Sequence, residues 1–339
     1  MDFSGRIFMG GSRAENPVAG VDLGGTKILV GIVGPDHTIL GRAKRPTPSA
    51  AGGPAIVSAI VEAIDQALLE ARMVREELAG VGVGSPGPID QRTGVIRFSS
   101  NLNVTDWPLG PELSRALGLP TLIRNDVRMG GYGEFRLGAG RGLRNILVAF
   151  VGTGIGGCAI IDGKVVEGAT GNAGEIGHII VKSNGPTCGC GRRGCLEALS
   201  SRTAITRRIH KAVKRGELSI LAPKVDKKSS KLKSGDLASA VEAGDIVALR
   251  EVERAANFLG LAIGGLVNLL GPELVIIGGG VTEALGSKFV ELIQASARDQ
   301  ILVDPEETIR IVPAALGDDA GILGAAWLAL ENAEFSIIS

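Results

Sequence analysis

The stretch Val18-Ala-Gly-Val-Asp-Leu-Gly-Gly-Thr-Lys-Ile-Leu-Val-Gly-Ile-Val33 decides how the rest of the chain is read. An apolar run enters a polar Gly-Gly-Thr turn and a second apolar run leaves it, the pattern of two strands joined by a hairpin. The same grammar returns in Ile146-Leu-Val-Ala-Phe-Val-Gly-Thr-Gly-Ile-Gly-Gly-Cys-Ala-Ile-Ile161. Two such units, about 130 residues apart, predict a duplicated domain. Each turn presents backbone N–H groups and a Thr hydroxyl, so two such turns facing each other would make a phosphate clamp.

Working outward, Ile56, Ile60, Ile64, Ala67, Leu68 and Ala71 fall at helical spacing within 54–77. Residues 78–84 read as a strand entering the turn Ser85-Pro-Gly-Pro-Ile-Asp90, and 119–124 as a strand ending on Asn125-Asp126, with a helix over 127–135. Farther on, the pattern predicts a helix over 255–270, a strand over 273–277, a turn at Gly278 to Gly280 into another helix, and an apolar helix over 318–330. Strands alternating with helices give an α/β fold. Residues 1–18 read as a loose tail. The basic segment 211–234, with Lys227, Lys228, Lys231 and Lys233, reads as a solvated loop or helix end rather than a nucleic-acid patch.

The 339 residues suit two domains of roughly 150 residues each. Apolar residues at 45% and charged residues at 21% exclude wholesale disorder. Thirty-six Lys and Arg balance 36 Asp and Glu, so no overall field draws the chain to nucleic acid or an anionic membrane. With 8 Phe, 2 Trp and 1 Tyr, there are too few aromatics for a base-stacking platform. The apolar run from Phe258 to Gly271 is too short to span a bilayer. No signal segment is visible, and a cytoplasmic location is expected. Glycine is the outlier: 51 of 339 is about 15%, against a usual ~7%, which points to turns and close backbone approaches.

Gly152-Thr-Gly-Ile-Gly-Gly157 formally matches the dinucleotide fingerprint G-x-G-x-x-G, with Glu175 at a plausible distance. That fingerprint must open a helix, whereas residues 158–166 read as strand, Asp-Gly turn and strand. Asp22 to Lys27 is likewise no Walker loop. The strongest local signal is His178 with Cys188, Cys190 and Cys195, spaced H-x9-C-x-C-x4-C. Three thiolates and an imidazole make a closed tetrahedral site, so a structural Zn²⁺ is expected there. The fourth cysteine, Cys158, reads as core, and His37 and His210 as isolated residues in polar surroundings. Asn125-Asp126 reads either as a helix N-cap or as a catalytic acid at the C-terminal end of a strand. Glu175 and Glu197 flank the zinc loop, which would fix two carboxylates suited to sugar hydroxyls.

Taken in order, these motifs, together with Asn101-Leu-Asn103 and Trp107, resemble those of the ROK family of sugar kinases and repressors over most of the chain. The resemblance implies the actin-like (ribonuclease H-like, hexokinase-type) ATPase fold, with two duplicated α/β domains around a cleft. It sets a small domain over 19–125 with 320–339, and a large one over 126–319. It implies ATP-dependent phosphorylation of a hexose at the 6-hydroxyl, glucose before N-acetylglucosamine, N-acetylmannosamine, mannose or fructose. Asp126 would be the general base. Asn101, Asn125, Glu175, His178 and Glu197 would hold the sugar. Asp22, Gly24, Gly25, Thr26 and Lys27, with Gly152, Thr153 and Gly154, would line the phosphates bridged by Mg²⁺. Gly278, Gly279 and Gly280 would approach the adenosine. A homodimer or homotetramer is expected, with neither nucleic acid nor membrane as partner. Repressors of the family carry an added DNA-binding domain, and only 21 residues precede Asp22 here. Polyphosphate-using members tend to lack the cysteine cluster. Zinc is expected to act on the sugar residues alone, leaving distant nucleotide turns untouched.

Overall fold

The structure is a computed structural model that describes residues 16–225, 232–303 and 308–331. Lys227, Lys228 and Lys231 of the basic segment, residues 1–15 of the expected tail and residues 332–339 of the expected small domain lie outside them. The chain forms two compact units, Met1–Gly133 with Asp318–Ser339, and Glu134–Gly317.

The first unit contains β1 (Val18–Leu23), β2 (Lys27–Val33), β3 (Ile39–Pro46), helix α1 (Gly53–Ala71) and β4 (Val81–Ser85). A small three-stranded sheet follows, made of β5 (Ile89–Asp90), β6 (Val95–Ser99) and β7 (Val104–Trp107). Then come α2 (Leu109–Leu117), β8 (Thr121–Asn125) and α3 (Asp126–Arg136). The main sheet has the order β3-β2-β1-β4-β8. Short turns make β1, β2 and β3 antiparallel, whereas β1, β4 and β8 run parallel across the longer crossovers that hold α1 and α2.

Glycine explains how helices lie so close on this sheet. Gly20 pairs with Gly31 on one side and Gly82 on the other, forming a band without side chains. The C-terminal helix Asp319–Glu331 rests on that band. A Cβ at Gly20 would stand 2.2 Å from the Ile322 carbonyl oxygen, and one at Gly82 would stand 2.0 Å from that of Ala325. On the opposite face, Gly41 admits the backbone of α1 at Ala67, and Ile56, Ile60, Ile64 and Leu68 of α1 are buried. His37 departs from the expectation of isolation. It sits at φ 67° in the β2–β3 turn, with its ring stacked on Trp327 of the C-terminal helix, centroids 3.9 Å apart.

The second unit repeats the plan with β9 (Ile146–Val151), β10 (Ile155–Ile161) and β11 (Lys164–Val165). Helices α4 (Glu197–Ser200), α5 (Arg202–Lys214), α6 (Ala222–Val225), α7 (Ser234–Glu242) and α8 (Ile246–Leu270) follow. The unit continues through β12 (Leu274–Gly278), α9 (Gly280–Leu285), α10 (Ser287–Arg298) and β13 (Arg310–Pro313). Its sheet order, β11-β10-β9-β12-β13, is that of the first sheet strand for strand. The β10–β11 turn places Asp162 and Gly163 at φ 52° and 76°, as a tight hairpin requires.

Helix α8 begins at Ile246, nine residues before the expected start at 255. Asp245 caps it, its carboxylate accepting the Ala248 N–H at 2.8 Å. No helix among the described residues is long and apolar enough to cross a membrane. Where the chain enters the second unit, Glu134 is fully buried and gathers three N–H groups: Ala139 at 3.0 Å, Ala315 at 2.9 Å and Leu316 at 2.7 Å. That carboxylate ties the first residues of this unit to its last.

Candidate active site

In the first unit, the C-terminal ends of the parallel strands β1, β4 and β8 bring Asp22, Ser85 and Asn125 to one edge of the sheet. Such edges are where open α/β sheets bind ligands. Asp22 is pushed up to about 6, first by burial and then by the Asp126 carboxylate, with Lys27 opposing. Asn125 does cap α3: its Oδ1 accepts the Arg128 N–H at 3.2 Å. Asp126 is held by the N–H of Val127 at 2.9 Å and the Asn125 side-chain amide at 3.1 Å, both donating to Oδ1. The two readings of this pair are therefore compatible, because the cap orients the acid. A Cβ at Gly84 would stand 3.3 Å from the Asp126 Cα, so glycine there lets α3 start hard against β4.

The β1–β2 turn closes on itself. The Gly24 N–H donates to the Lys27 carbonyl at 2.9 Å, and the Thr47 hydroxyl donates to the Gly24 carbonyl at 2.7 Å. The N–H groups of Gly25 and Thr26 donate to nothing among the described residues, which leaves two adjacent donors for an anion. Lys27 pairs with Asp318 at 2.9 Å. Asn101 is exposed beside this turn: a Cβ on Gly25 would stand 3.0 Å from the Asn101 Cβ. Buried Leu102 and Trp107, whose indole N–H donates to Glu112 at 2.9 Å, anchor its segment.

In the second unit, one ligand atom each from His178, Cys188, Cys190 and Cys195 lies within 4.8 Å of all the others. Cys190 and Cys195 sulfurs are 3.7 Å apart, and Cys188 Sγ lies 3.8 Å from His178 Nδ1. A tetrahedral zinc–thiolate site has edges of about 3.8 Å for bonds of about 2.3 Å, so the donor set and its size fit a zinc ion. Burial pushes the Cys188 thiol up to about 12, with the Cys190 backbone N–H opposing, and a bound cation would favour its thiolate.

Glu197 opens α4 two residues after Cys195. Its Oε1 accepts from Cys188 Sγ at 3.6 Å, and its Oε2 accepts the Ile155 N–H at 3.1 Å in the β9–β10 turn. Arg202 braces the same turn, donating its side chain to the Thr153 hydroxyl at 2.5 Å and its N–H to the Gly152 carbonyl at 3.0 Å. This corrects the expectation that the donor loop is remote from both nucleotide turns. The turn at Gly152 to Gly154 hangs on residues that directly follow the last cysteine. Here too the N–H groups of Thr153 and Gly154 are not taken up among the described residues. Glu175 is exposed, and His178 follows it on a single 3₁₀ turn.

The ROK family profile matches residues 18–332. The chain belongs to the ROK family. It is 38% identical over 316 residues to a glucokinase of Thermotoga maritima, covering 92% of this chain and 97% of the relative. It is 37% identical over 310 residues to a glucokinase of Halalkalibacterium halodurans, covering 91% and 93%. Among solved structures, a ROK glucokinase of Streptomyces griseus, in complex with glucose and AMPPNP, superimposes with a TM-score of 0.81 at 31% identity, covering 93% of this chain and 99% of that one. With the repeated sheets, this makes the fold of the chain the actin-like ATPase fold of the ROK sugar kinases.

Within its first unit, this ROK chain gathers Asp22, Gly24 to Lys27, Asn101, Asn125 and Asp126. Within its second it gathers Gly152 to Gly154, His178, the three cysteines and Glu197. Gly278 and Gly279 have a packing reason for being glycine: a Cβ on either would stand 2.5–2.7 Å from Phe150 or Val151. Gly280 meets nothing closer than Ser234 Oγ at 3.7 Å. Sequence reasoning missed Ser85, whose hydroxyl is fully buried at the sheet edge without a hydrogen-bond partner among the described residues. Its signal was its place at the end of a strand, next to Pro-Gly-Pro. It also missed the Arg202 brace, which no motif marks.

Proposed function

We propose that this ROK protein is an ATP-dependent hexokinase that transfers the γ-phosphoryl group of ATP to the 6-hydroxyl of glucose. The observation that carries the reading is Asp126, fixed at the C-terminal end of β8 with one oxygen held by Val127 and Asn125. The curated relatives named glucokinases, which cover nearly the whole chain, support glucose as the sugar.

In this reading Asp126 accepts the proton of the 6-hydroxyl as its oxygen attacks the γ-phosphorus and the bond to the ADP oxygen breaks. Such a base contributes roughly 10²–10⁴-fold. Phosphoryl transfer otherwise needs positioning and charge neutralisation. Asn101, Asn125, Glu175, His178 and Glu197 hold sugar hydroxyls. The paired amides at Gly25 and Thr26, and at Thr153 and Gly154, take phosphate oxygens, while Asp22 and Lys27 set the local charge. Gly278 to Gly280 lie against the adenosine. Mg²⁺ supplies further neutralisation when it accompanies the nucleotide. Zn²⁺ would be held by His178 Nδ1, Cys188, Cys190 and Cys195. With no open position it orders the loop, and His178 keeps Nε2 for the sugar.

An ADP-release assay across a panel of hexoses and amino sugars tests this. Glucose should give the highest kcat/KM. In the folded Asp126→Asn protein, kcat should fall at least ~10²-fold with sugar binding kept. Near-normal turnover in that variant removes the assigned base, and a stronger preference for an amino sugar removes glucose.

A further inference from the structure

Although its charges balance overall, the chain concentrates cations in one cavity of the second unit. The cavity holds about 570 Å³ between the donor loop, α5 and α8. Of its sixteen lining residues, six are arginines and two are lysines, against two glutamates. Both glutamates are already paired. The buried Glu251 accepts from Arg208 at 2.6 Å and from Arg250 at 3.0 Å, and Glu217 accepts from Arg250 at 2.7 Å. The remaining six cations, Lys182, Arg193, Arg207, Lys211, Arg215 and Arg254, have no carboxylate partner among the described residues.

The floor of this cavity is built rather than incidental. Arg207 and Arg208 are half-buried, and their guanidinium groups are oriented by the carbonyls of Ala198 and Leu199 at 2.6 and 2.5 Å. Lys211, Arg215 and Arg254 stand exposed around the rim. Burial holds Arg208 below the usual guanidinium range, and Arg254 and Arg207 push the same way, with Glu251 opposing. With six of the eight lining cations lacking a carboxylate partner among the described residues, the cluster is short of counter-charge. Guanidinium forks match phosphate oxygens in pairs.

We propose that this cavity is a binding site for a small polyanion carrying two or more phosphate groups. A single phosphate, at about −2, would answer only a third of the six unpaired charges. The volume lies within the range of small-molecule sites, roughly 300–1,000 Å³. No aromatic side chain among the described residues lines it to stack a nucleobase, which favours an oligophosphate or a multiply phosphorylated sugar over a nucleotide. None of the lining residues is among those assigned above to sugar, nucleotide or metal.

Calorimetric titration of the full, metal-loaded chain with inorganic tripolyphosphate tests the proposal, with a non-hydrolysable ATP analogue saturating the nucleotide site. One equivalent should bind per chain. Sulfate should bind at least ~10-fold more weakly, and the double variant Arg215→Ala/Arg254→Ala should lose at least ~10-fold in affinity. Both positions are exposed, so melting of the variant should match the parent. Absence of saturable binding, or an affinity unaltered in a folded double variant, overturns the site. So does saturable binding of an oligonucleotide that tripolyphosphate fails to displace. Binding is read without turnover, so failure of the kinase reading in the ADP-release assay would leave this result standing.

Discussion

Asp22 near the end of β1 and Asp126 at the start of α3, directly after β8, lie on either side of β4, and the Asp126 carboxylate makes the Asp22 charge costly. Asp22 is raised from 3.8 to about 6, mainly by burial. Between those values the folded chain holds a proton that the unfolded chain has released. Its contribution to stability is thus full below about pH 4 and is lost as pH rises through 6. Above that, the ionised group costs the nucleotide-free fold on the order of 1–3 kcal/mol. Asp22→Asn should match the parent in urea unfolding near about pH 4 and exceed it near about pH 7.5. A difference that does not grow with pH would refute the shift. Glu134 poses the opposite case. Glu134→Ala would take from the partly buried N–H groups of Ala139, Ala315 and Leu316 the buried carboxylate that accepts them, at a cost of about 2–3 kcal/mol. An equilibrium unfolding curve unmoved by that substitution would show that water replaces the carboxylate.

The two hairpins could be read from sequence because their signals are local: apolar runs, a Gly-Thr turn and a return. The first turns of α8 could not, because Arg250, Glu251, Glu253 and Arg254 interrupt the apolar period there, and only the Asp245 cap marks the start. Glycine content was countable, but its reason was not, since it depends on which helix lies over which strand. Gly20 and Gly31 face each other within one hairpin, but Gly82 is far from both in sequence and meets Gly20 only in the sheet. The band makes a specific demand. Gly82→Ala would place a methyl group 2.0 Å from the Ala325 carbonyl oxygen, against backbone that cannot swing aside. The C-terminal helix must then lift, and we expect a loss of about 3 kcal/mol. A melting temperature unchanged in Gly82→Ala would mean the helix shifts at little cost.

Across the whole molecule, duplication was legible because both copies keep the same strand–turn–strand grammar, whereas the cationic cavity was not. Its charges come from separate stretches between Lys182 and Arg254, and a balanced total conceals them. The four metal donors were legible by spacing, but their reach was not. Glu197 and Arg202 carry the order of the donor loop into the turn at Gly152 to Gly154. Structural zinc can supply on the order of 10 kcal/mol to ordering its loop. Freshly purified protein should therefore hold one zinc per chain. Stripping it with a chelator, or Cys190→Ser at an exposed position, should raise amide exchange over 176–200 and over 152–155 together. The Gly24 to Lys27 turn belongs to the other unit and closes on its own hydrogen bonds, so its exchange should stay as it was. The KM for sugar should rise, and nucleotide affinity should weaken as well, because one of the two glycine turns loses its brace. If exchange rises over 176–200 while 152–155 stays protected, the Glu197–Ile155 and Arg202–Thr153 bonds do not transmit the metal's order. If exchange rises equally at Gly24 to Lys27, the effect is general unfolding and not the local path described.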